Sequence, residues 1–103
     1  MRYQLVLQFA GRACPTLDDL IALEEELTRH VPTGAVVDGH DIGSGEANIF
    51  IVTSDPVATF SALVPALRSR EQIVGLGAAY RAERSDEYVR VWPAGSTAPF
   101  MVQ

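Results

Sequence analysis

Apolar and polar side chains alternate along the first nine residues of the chain. The alternate positions that are apolar are Tyr3, Leu5, Leu7 and Phe9. The positions between them are Arg2, Gln4, Val6 and Gln8. A period of two residues is typical of a β-strand that buries one face. The pattern therefore predicts a strand over residues 2–9 with the apolar set in the core.

A period of three to four residues follows and predicts a helix. The helix begins at Thr16, a favourable N-cap, with Asp19 at the capping-box position. Its apolar stripe consists of Leu17, Leu20, Ile21, Leu23, Leu27 and Val31. Pro32 and Gly34 end the helix because neither residue favours its continuation.

A second helical stretch begins at Asp55, which serves as N-cap, with Pro56 at the first helical position. Its apolar stripe consists of Ala58, Phe60, Leu63, Val64 and Leu67. Pro65 lies inside this stripe and removes one backbone donor, so it predicts a kink in the helix.

Residues 37–51 predict a β-hairpin that turns at the glycines on either side of Ser44. If Ile42 faces Glu46, then His40 faces Asn48 and Asp38 faces Phe50. These pairs then lie on one face of the sheet, and the more apolar face carries Val37, Gly39, Ile49 and Ile51. A shift of one residue in this register would exchange the two faces.

Two further strands are predicted at residues 78–84 and 87–92, and Pro93 ends the second. The order of elements favours a ferredoxin-like α+β domain over residues 1–93. This fold is an antiparallel sheet, here with an extra C-terminal strand, that carries both helices on one face. Residues 94–103 have no period and predict a loose tail. The helix-free face is expected to carry Gln4, Val6, Gln8, His40, Asn48 and Phe50.

Charge and cysteine content narrow the functional class of this 103-residue chain. It has 8 basic and 13 acidic residues and a net charge of −5. This sign argues against nucleic acids and anionic membrane surfaces as partners, because both select basic proteins. Cys14 is the single cysteine and excludes an internal disulfide, so the cytoplasm is the expected compartment. No stretch approaches the roughly 20 apolar residues that span a bilayer.

Candidate chemistry concentrates in the hairpin. Five polar residues lie within eleven positions: Asp38, His40, Asp41, Glu46 and Asn48. Histidine and carboxylates can ligate a metal. Adjacent strand residues point to opposite faces, however, so His40 and Asp41 do not converge easily. The favoured interpretation is a polar hairpin whose aspartates bond to turn backbone, with no metal and no cofactor.

An acid–base site is the second interpretation of this cluster. His40 is the natural proton carrier near neutral pH, with Asn48 opposite to orient it and Glu46 on the diagonal. No nucleophile is evident beside them, which favours a histidine that is hydrogen-bonded within the sheet. Near the C-terminus, Tyr88, Arg90 and Trp92 occupy alternate positions, and this combination is typical of protein interfaces.

The string Asp38-Gly-His-Asp-Ile-Gly-Ser-Gly-Glu-Ala-Asn-Ile-Phe-Ile51, followed by Thr53-Ser-Asp-Pro56, resembles a pattern in small bacterial proteins of uncharacterised function. The resemblance extends to Tyr80 and to Tyr88-Val-Arg-Val-Trp-Pro93. It implies a class of protein and no particular reaction. The ferredoxin-like fold adds no activity either, because this fold hosts many unrelated functions.

Two functional hypotheses follow. The first is a non-enzymatic cytosolic module that binds itself or another protein through the helix-free face. Its expected binding residues are Gln4, Gln8, Asp38, His40, Asn48, Phe50, Tyr88, Arg90 and Trp92. The alternative is a small enzyme or ligand sensor that binds a small molecule, in which His40, Asn48 and Glu46 form the catalytic group.

Overall fold

The sheet has five antiparallel strands and carries two helices. The computed structural model of the protein describes residues 2–96 and 98–102. The strands are β1 (Tyr3–Ala10), β2 (Ala35–Gly43), β3 (Glu46–Thr53), β4 (Leu76–Ala82) and β5 (Val89–Trp92), and the helices are α1 (Leu17–Thr28) and α2 (Pro56–Ser69). The strand order β2-β3-β1-β4-β5 confirms the predicted ferredoxin-like arrangement with an added fifth strand.

Both helices begin where local side-chain chemistry predicts. Thr16 Oγ1 accepts a hydrogen bond from the Asp19 backbone N–H at 3.2 Å. Asp55 Oδ1 accepts one from the Ala58 N–H at 3.1 Å. Each cap satisfies a backbone donor that the first helical turn leaves without a partner. Helix α2 continues through Pro65 as far as Ser69.

The core lies between the two helices and one face of the sheet. From the sheet it contains Leu5, Leu7, Phe9, Ile49 and Ile51, which are all fully buried. From the helices it contains Leu20, Leu23, Leu27, Leu63 and Leu67, which are also fully buried. The two apolar periods of the sequence therefore meet in one core, as expected when a strand face and a helix stripe are buried together. Within residues 2–96 and 98–102, the helices lack the length and apolar character of a membrane-spanning segment.

Strand β2 contains a bulge that changes its register against β3. Val36 pairs with Val52, as predicted, but Gly39 pairs with Phe50. Asp38 is the extra residue between these two pairs, and it shifts every later residue of β2 by one position. Gly39 has a φ of +127°, a conformation that side-chain-bearing residues rarely adopt. The predicted register is therefore wrong beyond Val37, because an uninterrupted alternation was assumed.

The bulge should make β2 sensitive to a side chain at Gly39. We expect Gly39→Ala to lower the free energy of unfolding by about 1–3 kcal/mol, because alanine is strained at this positive φ. Gly43→Ala is the matched control, since Gly43 lies on the same strand without a positive φ and with open space around it. Urea denaturation measures both. Equal losses in the two variants would contradict a special role for the bulge.

Candidate functional site at the hairpin and the helix-free face

His40 lies on the helix side of the sheet. It pairs with Ile49, which belongs to the core face, and its Nδ1 lies 3.1 Å from Oε2 of Glu24 on α1. Both side chains are half-buried. The prediction that His40 faces Asn48 on the helix-free side is wrong, because the bulge at Asp38 exchanges the two faces of β2 beyond it. In the structure, the imidazole connects the edge strand to the helix above it.

Asn48 is at the centre of a polar network on the opposite face. Its Oδ1 accepts a hydrogen bond from Gln8 Nε2 at 3.1 Å. Its Nδ2 donates to Asp41 Oδ1 at 2.9 Å and to Glu46 Oε2 at 3.0 Å. Asn48 is only 1% exposed, and both hydrogens of its amide and its oxygen have partners. The network therefore satisfies a buried amide, which is the ordinary structural use of such a side chain.

The proposed catalytic group is not brought together. His40 lies on one face of the sheet, while Asn48 and Glu46 lie on the other. Asp41 occupies the position opposite Asn48 that the sequence analysis assigned to His40. In the described part of the chain, no group of three or more histidine, cysteine or acidic side chains is arranged to hold a metal ion. The residue in the sequence that indicated this separation of His40 from Asn48 was Gly39, because a glycine inside a strand often marks a bulge.

Residues 98–102 lie against the helix-free face. The Arg90 Nη2 donates to the carbonyls of Ala98 at 3.0 Å and Pro99 at 3.2 Å. Its guanidinium lies 5.1 Å from the centre of the Phe100 ring, within the range of a cation–π contact. Gln8 Nε2 donates to the Met101 carbonyl at 2.8 Å.

These contacts bear on the tail that the sequence analysis treated as loose. The described tail residues form no helix or strand, but side chains of β1 and β5 hold their carbonyls. Met1, Thr97 and Gln103 lie outside the described residues. On the same face, Val6 and Ala79 pair across β1 and β4 and are fully buried. This central part of the helix-free face is therefore closed to solvent.

Tyr88, Arg90 and Trp92, which were predicted to share one side of the sheet, lie on two different faces. Arg90 pairs with Ala79 on the helix-free side, and the Tyr88 ring lies 5.1 Å from the Phe100 ring. Trp92 instead contacts Phe60 of α2, with ring centres 6.1 Å apart. An irregularity between β4 and β5 shifts their register. The prediction that these three side chains share one side is therefore wrong for Trp92.

The accessible part of the helix-free face lies at β2 and β3. It comprises Val36, Val52, Phe50 and Gln4, which we call the open patch. Val36 pairs with Val52, and Val52 pairs with Gln4, so three strands contribute side chains in one row. Val36 is 63% exposed, and the other three are half-buried. Asp38, on the bulge beside the patch, is also exposed.

No protein-family model, no curated protein and no solved structure matches this chain. The ferredoxin-like arrangement by itself does not select a function, because one fold hosts many.

The Asn48 network should be sensitive to charge. We expect Asn48→Ala to lower the free energy of unfolding by about 1–3 kcal/mol, because it removes the three hydrogen bonds of a buried amide. Asn48→Asp should cost more at neutral pH, since the new carboxylate faces Asp41 and Glu46 and like charges raise its pKa. The extra loss of unfolding free energy in Asn48→Asp is absent when the new carboxyl is protonated. It grows as pH rises through and above the usual aspartate pKa of about 4.

Urea denaturation of both Asn48 variants at neutral pH and at about pH 4 measures this difference, because the two conditions lie on either side of the ionisation. Asn48→Asp being no less stable than Asn48→Ala at neutral pH would contradict the network.

Proposed function

We propose that the chain is a non-enzymatic cytosolic binding module that pairs with a second copy of itself through the open patch. The observation that carries this proposal is Val36, which is 63% exposed beside Val52 at the free edge of the sheet. Apolar groups exposed together on a sheet face are typical of interaction surfaces. The proposal retains the helix-free face as the binding surface and confines it to the part that residues 98–102 leave accessible.

The charge of the chain favours a second copy as the partner. In a two-fold interface each surface meets the same surface of the other subunit. Two copies that each carry a net charge of −5 repel one another wherever acidic surfaces meet. The four side chains of the open patch are uncharged, and the charged residues at its border, Asp38 and Arg81, have opposite signs. Two copies can therefore meet through this surface with little of that repulsion.

The features of β2 favour an interface through the helix-free face over pairing of two β2 strands along their edges. Strand β2 has a free edge, which is a potential template for a further strand. Its bulge and its exposed carboxylates, Asp38 and Asp41, are features by which proteins protect such edges. Two copies paired along β2 would also bring these aspartates towards one another. The face that presents Val36 has no such obstacle.

The enzyme or sensor alternative required His40, Asn48 and Glu46 around one pocket. The bulge places His40 across the sheet from the other two, and the hydrogen bonds of Asn48 are already made within the protein. No observation favours this alternative over the binding module.

Association should depend on the open patch. We expect the wild-type protein to sediment as a dimer at high micromolar concentration in analytical ultracentrifugation. Val36→Arg should weaken the dimer by at least about tenfold, because it buries an unpaired charge in the interface. Val74→Arg is the matched control, since Val74 is 74% exposed and lies outside the patch. His40→Ala, on the opposite face, should leave association unchanged.

Two outcomes would overturn the proposal. The first is a wild-type protein that stays monomeric throughout the high micromolar range. The second is an equal weakening of the dimer by Val36→Arg and Val74→Arg, which would show that the open patch is not the interface. Circular dichroism of each variant establishes that a loss of association does not come from unfolding.

A further inference from the structure

A groove of about 950 Å³ lies between two connections of the chain. One connection, residues 10–15, links β1 to α1, and the other, residues 68–75, links α2 to β4. The charged side chains that line the groove are Arg12, Arg68, Arg70, Asp19 and Glu71. We call it the arginine groove. It contains three of the eight basic residues of the chain but only two of its thirteen acidic residues.

The three guanidinium groups of the groove have no protein partner in the described part of the chain. None of Arg12, Arg68 and Arg70 forms a side-chain hydrogen bond or an ion pair within residues 2–96 and 98–102. Four other arginines do have such partners: Arg2, Arg29, Arg81 and Arg90. Asp19 and Glu71 line the same groove without forming an ion pair with the arginines. The groove therefore concentrates positive charge that the fold itself does not use.

The walls of the groove are held in place by contacts of their own. Gly75 packs so closely on Ala13 that a Cβ at position 75 would lie 2.6 Å from the alanine Cβ. The Gly11 backbone N–H donates to the Gly45 carbonyl at 3.0 Å, which ties the first connection to the hairpin. Glu71 adopts a φ of +59° at the position that ends α2, where its N–H donates to the Arg68 carbonyl at 3.0 Å and the Gln72 N–H donates to the Leu67 carbonyl at 2.8 Å. The start of the second connection is therefore fixed by the cap of the helix.

We propose that the arginine groove binds a small molecule that carries several negative charges on phosphate or carboxylate groups. The guanidinium group presents a planar set of donors that matches both kinds of oxyanion, often through two parallel hydrogen bonds. The volume falls within the range of small-molecule sites, about 300–1,000 Å³. Because the two walls are already packed together, little ordering is required when the ligand binds.

The proposal is tested by calorimetric titration of the full chain with two probes at low ionic strength. Inorganic pyrophosphate represents the phosphate source, and citrate represents the carboxylate source. We expect saturable binding of at least one probe, and the stronger one identifies the ligand class. Arg12→Gln, Arg68→Gln and Arg70→Gln should each weaken that binding about tenfold, the value of one charge-assisted contact.

A matched control is available in the same chain. Arg84 is exposed in the connection after β4, at the opposite end of that strand from Gly75. Arg84→Gln removes the same charge and should leave the affinity within about twofold, because a distant exposed charge is screened. Glu71→Gln should strengthen binding, since it removes a negative charge from the groove wall. This opposite sign distinguishes a charge-selective site from general damage to the fold.

The single thiol of the chain offers an independent readout. Cys14 lines the groove and is partly exposed. The bound probe should slow alkylation of Cys14 by iodoacetamide in the wild type, and about tenfold more probe should be needed for the same protection in Arg12→Gln. The proposal is overturned if neither probe binds at millimolar concentration. It is also overturned if Arg84→Gln weakens binding as much as the groove variants do.

Discussion

The contacts of each polar residue in the hairpin depend on which face of the sheet the side chains of the edge strand β2 occupy. Asp38 is an extra residue in β2 that has no pairing partner in β3. Every later side chain of β2 therefore lies on the opposite face from the one that regular pairing would give. His40 consequently meets Glu24 on α1, and Asp41 meets Asn48 on the helix-free side. If β2 were regular, His40 would lie opposite Asn48 on the helix-free side. A single inserted residue therefore separates a potential proton-transfer group from its partners and produces two structural contacts instead.

Much of the fold follows from local sequence, and the exceptions have a common physical cause. The caps at Thr16 and Asp55 were predictable because each requires only residues within one helical turn. The core face of β1 was predictable because its alternation is regular. The face that each side chain of β2 occupies beyond Val37 was not predictable, because a bulge depends on a backbone conformation that Gly39 permits but does not impose. The arginine groove was not predictable either, because Arg12 and Arg68 are 56 positions apart in the sequence and only the folded chain brings them together.

Gln8 explains why only part of the helix-free face is accessible. Its Nε2 donates to Asn48 on one side and to the Met101 carbonyl on the other, so one amide joins the hairpin network to the C-terminal residues. Arg90 holds the same segment two strands away. Contacts from two separate strands give this segment a defined position on the sheet. The open patch is the remainder of the face, and its extent is thus set by the protein's own contacts.

The central strand β1 relates the two surfaces to which we assign functions. Gln4, near its beginning, belongs to the open patch, and Ala10, at its end, lines the arginine groove. They are six positions apart along an extended strand, which corresponds to about 20 Å. A dimer formed through the open patch would carry two arginine grooves, one at the far end of β1 in each copy. Since β1 is hydrogen-bonded on both sides and buried along its middle, it holds the two surfaces in a fixed relation. The proposed association and the proposed anion binding therefore belong to opposite ends of one strand.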